Sequence, residues 1–196
     1  MTSVATLERD AELMLRVRSG CESSFALLLE KHRNGVVHFL YRMVQNRAVA
    51  EELAQEVFLR VYRSRESYEP TAKFTTWLYR ITTHLALNYV RDKRHDKLHD
   101  SIDAQPEEGA PRQVADRGAT IEEAMLREAR LGEIRAAIEA LPEKQRSAVL
   151  MHKYQEMDYA QIAGVLGCSE SAVKSLLFRA YETLRNRLRQ FAPREA

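Results

Sequence analysis

The stretch DYAQIAGVLGCSESAVKSLLFR, Asp158 to Arg179, decides how this chain folds. Asp158, with Gln161 three residues on, has the form of a capping box opening a helix over about Tyr159–Leu166. Gly167 follows as the expected left-handed stop, and Ser169 caps a longer helix from about Glu170 to Gln190. Two helices joined by a tight, glycine-containing turn form a helix-turn-helix. Ala160, Ile162, Ala163, Leu166, Val173 and Leu177 are the small and aliphatic residues such a pair needs to cross closely. In this motif the start of the second helix enters the major groove of DNA. Lys174, Ser175, Phe178 and Arg179 fall there on or near one face. Lys and Arg can donate to guanine acceptors or phosphates, Ser can serve either, and Phe can touch a thymine methyl. Arg185, Arg187 and Arg189, further along, are candidate phosphate anchors. A solvated αα-hairpin is the plain alternative, but small-residue turn, double capping and basic face coincide here and favour DNA.

Outward from this motif the chain is helical in period. Phe25, Leu28, Leu29, His32, Val36, Phe39, Leu40 and Met43 form one long stripe. Asn46 is placed to cap a second run in which Val49, Leu53, Val57, Phe58 and Val61 share a side. Pro70, within Tyr68-Glu69-Pro70-Thr71, interrupts the pattern, and a third helix is expected from about Phe74 to Arg94. Leu141-Pro142 ends a helix that starts after a Thr120/Glu123 capping box, with Pro142 suited to the first position of the next. No strand alternation stands out, so the fold class is all-α: two helical domains joined by a flexible acidic linker.

The expected division is residues 1–95, a linker over 96–119, and residues 120–196. Gln105-Pro106-Glu107-Glu108-Gly109-Ala110-Pro111 has too few large apolar side chains to order itself. Charge follows the same division. Residues 1–99 hold 16 Lys+Arg against 12 Asp+Glu, residues 100–132 hold 4 against 8, and residues 133–196 hold 10 against 8. Two mildly basic blocks therefore flank an acidic one, which permits nucleic-acid contact at both ends. No apolar run approaches the roughly 20 residues of a membrane span, and Met1–Asp10 lacks the form of a secretory signal. Cys21 and Cys168 are far apart and fit a reducing cytoplasm. His95 and His99 stand four apart but have no matching Cys/His pair, so neither metal nor other cofactor is expected. No phosphate-cradling glycine loop or nucleophile–base motif points to an enzyme.

The residues Leu141-Pro142-Glu143-Lys144-Gln145-Arg146, Tyr159-Ala160-Gln161-Ile162-Ala163, Leu166-Gly167 and Ser171 to Ala180 resemble region four of extracytoplasmic-function (ECF) sigma factors, in the sigma-70 family. A generic helix-turn-helix regulator does not usually carry the Leu-Pro-Glu-Lys-x-Arg helix. Ala50 to Arg63 resembles the polymerase-binding helix of region two, and Phe74-Thr75-Thr76-Trp77-Leu78-Tyr79-Arg80-Ile81 the start of its promoter-melting helix. The resemblance implies two partners, core RNA polymerase and promoter DNA, and an anti-sigma factor that supplies an off state.

Glu52, Gln55, Glu56 and Leu59 share a helix side and suit a basic, amphipathic partner helix. The resemblance identifies that partner as the clamp coiled coil of the polymerase's largest subunit. It also makes the loop around Ser64 to Lys73 the catcher of a flipped base of the minus-ten element. Aromatic residues can stack on unpaired bases while Lys and Arg follow the backbone. Lys73, Trp77, Arg80, His84, Asn88, Arg91 and Arg94 are accordingly the expected DNA-binding residues of this half, with core packing an equally good reading for Trp77. His84 stands where the family often has Asn, and Leu176 where it often has a basic residue; both bear on base preference. The alternative function is a helix-turn-helix regulator that acts without docking on polymerase.

Overall fold

The structure is a computed structural model and describes residues 3–99 and 121–189. Eight α-helices and one 3₁₀ turn, with no strand, make up the described residues. They are α1 (Ser3–Arg18), α2 (Glu22–Val44), α3 (Arg47–Arg63), the turn Arg65–Ser67, α4 (Phe74–His99), α5 (Ile121–Glu139), α6 (Glu143–Tyr154), α7 (Tyr159–Leu166) and α8 (Glu170–Arg187). Most boundaries have a local cause. Asn46 Oδ1 accepts from the Val49 N–H at 3.0 Å and starts α3. Asp158 and Gln161 satisfy each other's backbone N–H at 2.8 and 3.0 Å, a complete capping box. Gly167 stops α7 at φ +62, a conformation that costs glycine nothing. Ser169 Oγ then accepts from the Ala172 N–H at 3.2 Å and starts α8.

Three bounds differ from the sequence reading. Pro142 is the N-cap of α6 and not its first helical residue. α4 runs on to His99, past the expected end at Arg94 and into the expected linker. α8 stops at Arg187, short of Gln190. The rest of the linker and the Thr120 cap lie outside the described residues.

The first four helices bundle around Leu28, Val36, Phe39, Leu40, Val57, Val61, Phe74 and Leu78, all at most 1% exposed. α6, α7 and α8 cross around Leu150, Met151, Ile162, Val173 and Ala180, equally buried. α1 is pinned to α2 by one buried carboxylate. Asp10 accepts from Lys31 Nζ at 2.6 and 2.8 Å and lies 3.0 Å from His32 Nε2. Burial holds His32 below its ordinary pKa despite that carboxylate. Lys31 already balances the charge, so a neutral His32 can donate its Nε2–H to Asp10.

The two halves are not separate bodies; their cores join into one cluster. α4 lies against α7, and α2 against α6. The Tyr79 hydroxyl donates to Gln155 Oε1 at 2.5 Å. A Cβ added to Gly164 of α7 would sit 3.4 Å from Thr76 Cγ2 of α4, so the helices are in close contact there. The Arg146 guanidinium donates to the carbonyls of Met43 at 2.9 Å, Leu141 at 3.3 Å, and Glu139. Met43 and Glu139 belong to the last turns of α2 and α5, where carbonyls lack helical partners and the dipole favours a cation. One side chain thus caps two helices, one from each half.

His32 makes stability depend on pH. Below its ordinary value of 6.5 the unfolded chain binds a proton there that the native chain, with its lowered pKa, resists. Stability therefore falls as pH drops from 6.5 toward the lowered native value. Thermal melts at pH 7.5 and 5.5 check this, and His32→Gln is expected to reduce the difference between them.

Candidate functional site

The fold gives α4 three sides. Phe74, Leu78, Thr82 and Leu85 are buried in the four-helix core, while Thr76 and Tyr79 pack against the second half. The third side carries Lys73, Trp77, Arg80, His84, Asn88 and Arg91, three or four residues apart. All are exposed except Trp77, which is half-buried. Six of the seven residues expected to meet DNA in this half therefore share one surface. Arg94, three residues past Arg91 and 71% exposed, has its guanidinium 3.2 Å from Glu143 of α6. Arg91 lies 3.5 Å from Asp92, but both are about 70% exposed, and such pairs hold side chains weakly.

Trp77 is both packed and presented. Its ring meets Tyr68 at 4.9 Å and Phe74 at 5.9 Å, and His32 lies behind Phe74 at 5.3 Å. The loop before α4 is tethered at Tyr68, which is 1% exposed, whereas Glu69 to Lys73 are exposed. The buried Tyr68 hydroxyl has no hydrogen-bond partner.

On α8, Lys174, Ser175, Phe178 and Arg179 are all exposed, opposite the buried Val173, Leu177 and Ala180. Phe178 is 65% exposed, an unsheltered aromatic ring amid polar neighbours. Lys174 Nζ lies 5.8 Å from the Tyr159 ring, a cation–π distance that aims the ammonium across the turn. Ser175 Oγ donates to the Ser171 carbonyl at 3.0 Å and keeps its lone pairs for an outside donor.

Of the four residues expected to meet polymerase, Gln55 and Leu59 line a cleft between α2 and α3 of about 500 Å³. Glu52 and Glu56 lie outside it. Arg60 donates to Glu56 at 2.7 Å and holds that carboxyl below its ordinary pKa. The cleft has a floor of Phe25, Leu29, Phe58 and Tyr62, with Glu22, Glu51 and Arg33 also lining it. Leu59 is 49% exposed beside it. The sequence reading missed Phe25 and Leu29 as surface residues because their helical spacing reads as core. Tyr62, which meets Phe25 edge-on at 5.1 Å, carried no separate signal.

Family models for Sigma-70 region 2 and Sigma-70, region 4 match residues 28–95 and 131–184. ECF RNA polymerase sigma factor SigW of Bacillus subtilis is 31% identical over 89% of this chain and 94% of its own. Two solved structures share the fold. CnrH in complex with the cytosolic domain of CnrY has a TM-score of 0.69 at 18% identity, covering 94% of this chain and 99% of that one. The sigma factor RpoE in complex with the anti-sigma factor NepR from Bartonella quintana has a TM-score of 0.65 at 21% identity, covering 84% and 96%.

Removing the stranded hydroxyl with Tyr68→Phe is expected to leave the chain as stable or to stabilise it by about 1 kcal/mol, since an unpaired buried polar group carries a desolvation penalty. Thermal melts of the two proteins check this; a lowered melting temperature would mean that the hydroxyl is satisfied.

Proposed function

The chain belongs to the ECF sigma factors of the sigma-70 family, non-enzymatic proteins that bind RNA polymerase and promoter DNA to direct transcription initiation, and from that membership we propose how its surfaces divide the work. Residues 1–95 act as region two and residues 120–196 as region four, with 96–119 between them. The α2–α3 cleft and the α3 side carrying Glu52, Gln55, Glu56 and Leu59 dock on the clamp coiled coil of the polymerase's largest subunit. Gln55 and Leu59 receive apolar side chains of a partner helix, and the carboxylates meet its basic ones. Lys73, Trp77, Arg80, His84, Asn88 and Arg91 hold the opened minus-ten strand. Arg94 joins them once its pairing with Glu143 is released. Lys174, Ser175, Phe178 and Arg179 read the minus-thirty-five element as duplex. The supporting observation is the three-sided α4: two sides are committed to packing, and the third gathers the expected DNA-binding side chains in one row.

The packed halves set a size constraint. A compact chain of this length has a radius of gyration of about 16 Å, hence a breadth of about 40 Å. Elements centred about 25 base pairs apart are separated by about 85 Å of duplex. The closed body cannot touch both, so the halves part on the polymerase. The 21 residues between His99 and Ile121 can extend to roughly 70–75 Å, and the breadth of each half supplies the rest of that separation. Binding energy, with no nucleotide hydrolysis by this chain, drives local melting.

An anti-sigma factor holds the off state. The CnrH and RpoE structures, each solved with a bound partner, support this reading. No helix among the described residues is long and apolar enough to cross a membrane. We place the protein in the cytoplasm, with the chromosome and polymerase.

Run-off transcription with core polymerase tests the proposal. Initiation from mapped promoters is expected with the wild-type chain. Changing Lys174 and Arg179 together to Ala should lower it by at least about tenfold, since each good base contact is worth about 1–3 kcal/mol. Leu59→Asp should abolish core binding while leaving the fold intact. Absence of initiation from every genomic fragment would overturn the proposal. Tight duplex binding by the free chain, without polymerase, would favour a regulator that acts alone.

A further inference from the structure

We infer that Arg18, on the N-terminal helix, is a positioning residue for the loop that presents Trp77 and Lys73, acting through the backbone of Tyr68; this rests on the reading of that loop as the minus-ten capture site. Arg18 ends α1, and its Nη1 donates to the Tyr68 carbonyl at 3.2 Å, fifty residues away in sequence. The loop that begins there has little else to fix it. Pro70 has no N–H to contribute. Within the loop, the Thr71 N–H donates to the Glu69 carbonyl at 2.8 Å. The next backbone bonds are those that open α4, from the Thr76 and Trp77 N–H groups to the Lys73 carbonyl. Between the Tyr68 tether and α4 the chain is exposed.

The tether therefore has two parts, a ring and a carbonyl. The Tyr68 ring is buried against Trp77 and Phe74, edge to face in both contacts. Its hydroxyl makes no hydrogen bond, so the phenol cannot fix the loop by polar contact. That leaves the backbone: the Tyr68 N–H donates locally to the Arg65 carbonyl at 3.3 Å, and Arg18 is the side chain that holds the carbonyl across the fold. Arg18 is itself well placed to resist displacement. Val17 and Met14, one and four residues before it, are buried at 1% and 0% exposure, and Asp10 clamps the same helix to Lys31 and His32 of α2. The line of contact runs from the buried Asp10 clamp through α1 to Arg18, then through Tyr68 to Trp77. The guanidinium's role is to set where the loop lies relative to the half-buried Trp77 face, which shapes the site for an unstacked base.

Trp77 is the only tryptophan of the chain, so its fluorescence reads the tether directly in the free protein. Arg18→Ala is expected to make Trp77 more accessible to acrylamide and to shift its emission to the red. Arg18→Lys, which keeps a long donor, should restore most of the wild-type signal. In holoenzyme with core polymerase, the probe is the labelled single strand of the minus-ten region from the promoter that wild type transcribes best. Arg18→Ala should bind it about two- to tenfold more weakly, the range spanned by one typical hydrogen bond. Binding to core polymerase and to minus-thirty-five duplex should be unchanged.

Salt dependence separates positioning from a direct phosphate contact. Losing a phosphate contact would lower the slope of log affinity against log salt by about 0.7 for single strands, whereas a positioning residue leaves the slope as in wild type. Unchanged Trp77 quenching in Arg18→Ala, a reduced salt slope, or an equal loss of core and duplex binding would each overturn the inference. If wild-type holoenzyme itself failed to hold the single strand, the capture-loop reading would fall, while the quenching result would still report on the tether.

Discussion

The Arg146 guanidinium ties together helix ends from the molecule's two halves. It satisfies carbonyls at the ends of α2 and α5 together with that of Leu141, in a half-buried setting that lowers its pKa through desolvation. Arginine stays protonated through such a shift because its reference value is so high. A permanent cation is thus fixed where two helix dipoles converge negative charge. Ser147, the next residue, lies 3.6 Å from the Met43 sulfur, so the same turn of α6 supplies both polar and close-packed contact with α2. With α6 seated, α7 is carried onto α4, and Tyr79, its phenol pKa pushed up by burial, closes the contact through Gln155.

This arrangement explains why α4 can be both a structural and a functional helix. A 26-residue helix has enough turns to give one side to the four-helix core, one to the second half and one to solvent. The solvent side is the basic and aromatic one. Closing the halves therefore leaves that row exposed and instead constrains the distance between the row and α8. In an initiation factor the separation of two DNA-reading surfaces is itself functional. On the proposed assignment of the α4 row and the exposed α8 face to DNA, a closed form keeps these surfaces nearer each other than two promoter elements lie. The interface combines a continuous apolar cluster with a close crossing of Gly164 against Thr76 and single hydrogen bonds at Tyr79 and Arg146.

Local chemistry was legible in the sequence and long-range contact was not. The capping box at Asp158, the Ser169 and Asn46 caps and the Gly167 stop each depend on residues within three or four positions, and each was readable. The residues from Lys73 to Arg91 were expected from the family resemblance and from aromatic and basic side chains close in sequence, whereas their sharing one exposed side of α4 is seen in the structure. Arg94 was grouped with them by proximity in sequence, but its contact with Glu143 depends on a helix from the other half. Tyr79 to Gln155 and Arg146 to Met43 span 76 and 103 residues, and no periodicity encodes such pairs. α1 was not assigned as a helix, and its link to Tyr68 is likewise tertiary. The cleft was half-seen: α3 supplied Gln55 and Leu59, whereas Phe25 and Leu29 looked like core because a cleft floor has the same pattern as a core.

The central claim is that the free chain is closed and must open to work, and a reversible crosslink tests it most directly. With Cys21 and Cys168 replaced by Ser, Thr76→Cys and Gly164→Cys place two thiols at a crossing where an added Cβ at Gly164 lies 3.4 Å from Thr76 Cγ2, in van der Waals contact across the two halves. The account predicts that the disulfide forms readily in the free chain, that the oxidised chain fails to support initiation by core polymerase, and that reduction restores it. Full initiation by the oxidised, crosslinked chain would contradict it.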